Sequence, residues 1–175
     1  HFDKSRAIAK DRGIGLGLYG TDAVFVLVTG RFREAITLLE QAKVADPLNA
    51  FDAFLLARAY AASGNLAAAV AEGDRGMQLE GFQVPVRGSA LLTALATHDR
   101  NLIEQRLAQA MEVQLDSVGF LSAMKARLDD PAEALAEVRR RAATTTDHVE
   151  LSAMAVWMAW LGDPAGALDI YLSKA

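Results

Sequence analysis

The chain has 175 residues, 52% of them hydrophobic, with a formal net charge of −4 and no cysteine. Without cysteine there are no disulfides and no thiolate metal sites; cytoplasm and periplasm both stay open, the cytoplasm favoured. The mild negative balance argues against nonspecific nucleic-acid binding, and strand-forming residues are sparse outside Val24–Val28.

Residues 2–10 mix charged and apolar positions at helical spacing. They read, within 1–13, as the remnant of a helix from a preceding unit. The sequence starts at His1 without Met and stops at Ala175 inside an expected second helix. Both ends therefore read as those of a processed chain or an excised domain, and no secretory signal pattern is visible. Gly13, Gly15, Gly17 and Gly20 predict a helix stop near Arg12–Gly13. Thr21 or Asp22 is expected to cap the next helix, which runs to about Thr29. The nearly uncharged run from Arg12 to Arg31 is Gly-rich, holds Asp22, and falls short of the roughly 20 apolar residues that a membrane span needs. It reads as a buried helix. Arg31–Val44 is its partner, closed by Asp46-Pro47-Leu48-Asn49.

Ala50–Gln83 gives the next pair, hinged at Ser63-Gly64-Asn65. Leu55, Leu56, Ala59 and Tyr60 mark the apolar face of its first half, and Leu66, Ala69, Val70 and Met77 resume the spacing in the second. Gly64 suits the left-handed turn that ends a helix. Gly73 and Gly76, inside the second helix, are expected where a neighbouring helix packs close. Gly30 precedes a similar run 34 residues earlier, and His98 falls 34 residues later. Further turns follow at Asp129-Asp130-Pro131 and Gly162-Asp163-Pro164. Pro85 opens a third pair, with Ala90, Leu91, Ala94 and Leu95 inward and Asn101–Val113 as partner. The fourth is Ser117–Leu128 with Pro131–Ala143, its second helix apolar through Ala132, Leu135 and Val138. The fifth opens near His148 and turns at Gly162. The units span about 16–49, 50–83, 84–114, 115–147 and 148–175 of a single domain.

A period near 34 with two helices per unit is the mark of a tetratricopeptide-type array. Ala53, Leu56, Ala57 and Tyr60 match the spacing of that family's Trp-x2-Leu-Gly-x2-Tyr helix, with Ala in place of Trp and Gly. Ala69 matches the small residue of the second helix, while Gly73 replaces an aromatic. The preceding unit supplies Tyr19, Asp22, Ala23 and Val26, then Ala35, Leu39, Ala42 and Pro47. The chain thus resembles the tetratricopeptide repeat family over its first two units, and the later three depart from the pattern. The resemblance implies an all-α fold: a right-handed superhelical array of antiparallel helix pairs.

No motif points to catalysis. Gly15-Leu16-Gly17-Leu18-Tyr19-Gly20 fits G-x-G-x-x-G, but no apolar strand precedes it, so it reads as a loop between helices rather than a nucleotide site. His1, His98 and His148 are too scattered for a metal or a triad. Asp129-Asp130 reads as a helix cap, Arg139-Arg140-Arg141 as a solvated helix end, and Met111, Met124, Met154 and Met158 as packing residues. Trp157 and Trp160 share a face. No enzyme activity, cofactor or metal is expected.

In tetratricopeptide arrays the first helix of each pair lines a concave groove. Carried over by matching position, the resemblance places Phe51, Phe54 and Arg58 on that groove, with Lys125, Arg127 and Trp160 as further candidates. An aromatic pair beside a guanidinium suits a peptide with apolar and acidic groups. The Lys and Asn with which some members grip a terminal carboxylate are replaced by Gly20 and Val24. The expected function is a non-catalytic scaffold for a protein or peptide partner. The alternative is a regulatory or sensory part of a larger transcriptional regulator or signalling enzyme. The open ends of such an array also offer surfaces for self-association.

Overall fold

Every element among the described residues is helical, with no strand between them. The computed structural model describes residues 17–113 and 119–174, with side chains described from Asp22 to Val113 and from Gly119 to Leu172. The expected remnant helix in 1–13, Gly13, Gly15 and Ser117 lie outside them. The helices are α1 (Gly17–Val28), α2 (Phe32–Ala45), α3 (Ala50–Ala62), α4 (Leu66–Gln78), α5 (Gln83–Thr97), α6 (Arg100–Glu112), α7 (Phe120–Ala126), α8 (Pro131–Thr144), α9 (His148–Trp160) and α10 (Pro164–Lys174). The chain divides inside α5 into two compact units, one ending at Thr93 and the other beginning at Ala94. In the first, α1 packs on α2, α2 on α3, α3 on α4, and α1 also reaches α3. In the second, α6 meets α7, α7 meets α8, α8 meets α9, and α9 packs along α10.

The turns show why the chain reverses where it does. Gly30, Gly64, His98 and Gly162 all have positive φ, at 77°, 84°, 57° and 90°. After each glycine the next amide reaches back to a carbonyl of the preceding helix. Arg31 N donates to Val26 O at 3.0 Å, Asn65 N to Tyr60 O at 2.9 Å, and Asp163 N to Met158 O at 2.8 Å. These close the last turn in the manner of a Schellman motif. At the His98 turn the Thr97 hydroxyl donates to Ala94 O at 2.7 Å. At the last three of these turns the following residue then caps the next helix, whereas Arg31 makes no side-chain cap bond. Asn65 accepts from Ala68 N, Asp99 from Leu102 N, and Asp163 from Gly166 N. Asp130 caps α8 by accepting from Glu133 N, as its place before Pro131 predicts. Asn49 and Asp147 each cap a first helix by accepting from two amides.

The core follows the period. Ala35, Ala69, Ile103, Ala134 and Ala167 occupy one register of the second helices and are all buried. Ala23, Val26, Leu38, Leu39, Leu55, Leu56 and Ala59 join Ala35 in one cluster of the first unit. Ala90, Leu91, Ala94 and Leu95 are buried, as are Met124, Met154 and Met158. Three residues past this register, in α4, α6 and α8, charges go inside: Glu72, Arg106 and Glu137 are each 4% exposed. Each has a partner. Glu72 accepts from Lys43 Nζ at 2.8 Å and Arg75 Nε at 2.7 Å. Arg106 donates to Gln109 at 2.7 Å, and Glu137 accepts from Arg141 Nε at 2.6 Å and pairs with Arg140. A buried ion that keeps its partners avoids the cost of an unpaired charge. Gly73 and Gly76 do mark a close approach. A Cβ on Gly73 would sit 3.6 Å from Ala90 Cβ, and one on Gly76 3.2 Å from Val86 Cγ1.

Four expectations are corrected. α1 begins at Gly17, so Gly17 and Gly20 are helical rather than part of a loop. Thr21 and Asp22 are therefore interior, not caps, and Asp22 is buried. α7 has only 7 residues, because Gly119, at φ 67°, delays its start to Phe120. Ala132 is exposed, and the inward face of α8 is Ala134, Glu137, Val138 and Ala142. The Asp130 cap sets that phase by placing Pro131, Ala132 and Glu133 in the first turn. Of the three arginines, Arg139 and Arg140 are exposed at the helix end as expected and Arg141 is partly buried, and all three hold partners. Arg139 reaches Asp163 at 2.6 Å, Arg140 pairs with Glu137, and the Arg141 guanidinium also lies 5.6 Å from the Phe120 ring centre.

Candidate functional site: an aromatic cluster on α3

Phe51, Phe54 and Arg58 fall at i, i+3 and i+7 of α3, the spacing that puts side chains on one helical stripe. The opposite stripe, through Leu55, Leu56 and Ala59, enters the core and fixes which way this one faces. Asn49 holds the start of the helix through Phe51 N and Asp52 N, so Phe51 leaves from an ordered first turn. The Phe51 and Phe54 rings stack with centres 6.3 Å apart and planes 29° apart. The Arg58 guanidinium lies 5.3 Å from the Phe54 ring centre, within cation–π range. The structure thus brings these three together.

A fourth member escaped the sequence reading. Phe82, from the loop between α4 and α5, stands edge-on to Phe51 at 5.2 Å and to Phe54 at 5.3 Å. Its φ is +52°, directly after Gly81 at +77°. Phe51 and Phe82 remain 36% and 41% exposed. The only sequence signal was Gly81 beside an aromatic in a connecting loop.

The groups behind the cluster are structural. Burial raises the Asp52 carboxyl above its ordinary range, the Asp46 charge adds to this, and Arg75 opposes it. Arg75 also donates to Pro47 O at 2.5 Å, tying α4 to the turn before α3. Tyr60 is pushed up to about 12, first by its hydrogen bond to Glu40, then by burial and by the Glu40 and Glu72 charges. Among the described residues no group of three or more His, Cys, Asp or Glu could hold a metal. Two open depressions, one on α2 beside Glu40 and one at the Gly30 turn, lie apart from the cluster.

The other candidates belong to the second unit. Lys125 is exposed on α7. Arg127 donates to Ala123 O at 3.1 Å and to Glu133 at 3.4 Å. Trp160 is half-buried, edge-on to Trp157 at 5.5 Å, and Trp157 in turn meets Phe120 at 6.1 Å. No hydrogen bond, ion pair or ring contact links Lys125, Arg127 and Trp160 to one another among the described residues. No described helix is long and apolar enough to cross a membrane. The sequence matches no family model, no curated protein and no solved structure.

Proposed function

We propose that the protein is a non-catalytic interaction module, a tetratricopeptide-like array of right-handed superhelical form that binds a peptide or protein segment on the first helices of its pairs. The observation that carries this reading is the half-exposed cluster of Phe51, Phe54 and Phe82 with Arg58 beside it. Aromatic and Arg side chains are the groups that most often anchor an interface. The repeated left-handed turns at Gly30, Gly64 and His98 support the array. The test is a peptide-array or pull-down measurement with Phe54→Ala and Arg58→Ala. Loss of capture in either variant supports the assignment, and unchanged capture in both removes it.

A second surface supports self-association. Tyr171 is 48% exposed on α10 beside exposed Leu168 and Leu172, whereas its register mates Leu39, Leu107 and Val138 are fully buried. A second copy stacked there would complete the pattern. Light scattering across a concentration series should then show a mass increase that Tyr171→Lys abolishes; a constant monomer mass would refute it.

A further inference from the structure

Phe82 does not belong to the helix that carries the other two rings. It comes from the short loop at 79–82, it stays 41% exposed, and it rests edge-on against both Phe51 and Phe54. Its backbone holds the left-handed conformation, which glycine adopts freely and a phenylalanine does not. The two ring contacts, together with the Gln83 side-chain amide that donates to Leu79 O at 2.5 Å, meet this loop. Arg58, over the Phe54 ring, makes no ion pair among the described residues, whereas Arg31, Arg75, Arg100 and Arg139 each hold a carboxylate.

Resting on the proposal that this face binds peptide, we infer that Phe82 is an internal occupant of a seat for a ligand's aromatic side chain. The Phe82 ring and the Arg58 guanidinium each lie 5.3 Å from the Phe54 ring centre, so the matching ligand is an extended peptide with an aromatic and a carboxylate side chain two positions apart. In an extended chain, residues i and i+2 point the same way and stand about 6.5–7 Å apart. The ligand ring replaces Phe82 against Phe51 and Phe54, and the carboxylate meets Arg58. Once displaced, Phe82 relaxes to ordinary backbone angles, which offsets part of the lost ring contact.

The probe is acetyl-Ala-Phe-Ala-Glu-Ala-amide, titrated against the whole chain by NMR, with Leu-for-Phe and Gln-for-Glu peptides as controls. Removing the competing ring should tighten binding about tenfold in Phe82→Ala and in Phe82→Gly, the scale set by two edge-on ring contacts. Both control peptides should bind at least fivefold more weakly. In the wild type, saturating peptide should move the Phe82 ring signals toward those of free phenylalanine while Phe51 and Phe54 stay shielded. That readout needs no variant and so stands even if a substitution unfolds the loop. If the peptide binds, is lost in Phe54→Ala, and Phe82 neither moves nor competes, Phe82 is part of the platform: this inference falls and the interaction proposal survives. If the peptide binds no form of the chain, the ligand class is wrong, and the array measurement above decides the broader proposal separately.

Discussion

Gly73 and Gly76 sit three residues apart in α4, yet alanine should act on them with opposite sign. In a helix interior, glycine to alanine gains about 1 kcal/mol of intrinsic propensity. At Gly73 the new methyl would meet Ala90 Cβ at 3.6 Å, an ordinary van der Waals distance. The propensity gain is kept, so Gly73→Ala should stabilise by about 1 kcal/mol. At Gly76 the methyl would lie 3.2 Å from Val86 Cγ1 and 3.3 Å from Ala53 Cβ. Ala53 has no rotamer to change, and Val86 is β-branched within α5 and stiff at χ1. Relief therefore requires α4 to move off α3 or α5. Overpacking of this kind costs about 1–3 kcal/mol, which outweighs the propensity gain and leaves Gly76→Ala about 1 kcal/mol less stable. Urea unfolding followed by circular dichroism at 222 nm measures the gap, about 2 kcal/mol between the two variants. Adding Val86→Ala to Gly76→Ala should show a favourable coupling in a double-mutant cycle. If both single variants shift the midpoint the same way, the close approach of α4 to α3 and α5 is not as described.

Other outcomes follow from the turns and charges. Gly166→Ala would place a methyl 2.6 Å from Met158 Cε and against the Asp163 carboxylate that caps α10. Displacing that cap should cost about 1 kcal/mol, read as a fall in Tm of about 2–4 °C. His98→Gly relieves the left-handed strain at φ 57° and should raise the free energy of unfolding in urea by about 0.5 kcal/mol, whereas His98→Val should lower it. In acid the signs oppose. Hydrogen bonds from Arg140 and Arg141 hold Glu137 below its ordinary 4.5, and Gly166 N and Arg139 hold Asp163 below 3.8. Their stabilisation is present above those values and is lost as pH falls through the depressed ones. Asp52 is raised, so its penalty grows as pH rises through 3.8. Glu137→Gln should therefore flatten the acid loss, and Asp52→Asn should steepen it while raising stability at pH 7; urea midpoints at pH 3 to 7 check both.

What could be read in the sequence was what depends on one residue at a time. A left-handed turn needs glycine or a tolerant substitute, so Gly30, Gly64 and His98 announced the period before any packing was known. Asn65, Asp99 and Asp130 cap by reaching their own next amides, which is equally local. The phase of α8 was misread because Ala132 and Ala134 carry the same side chain; only the Asp130 cap and the neighbouring helices decide which one turns inward. Glu72 and Glu137 were not expected inside, since a lone carboxylate belongs in water. The spacings Glu72–Arg75 and Glu137–Arg141 hold the missing signal: a cation one helical turn on can stay partly buried beside its partner.

Phe82 is the harder case, and it shows where local reasoning stops. Everything in its own segment argues against a left-handed phenylalanine. The Gln83 side-chain amide donates to Leu79 O at 2.5 Å across the loop, and two rings about thirty residues earlier in the chain meet the Phe82 side chain, so the conformation draws on the tertiary fold as well as on the loop. The same reasoning ties the loop to the candidate site. Any change that weakens the Phe51–Phe54 platform removes the ring contacts of Phe82 and loosens the backbone at Gly81–Phe82. Phe54→Ala should therefore raise amide exchange at residues 80–82 well before it affects the Asn65 cap of α4. If exchange rises equally at both places, the loop is held by something other than the rings.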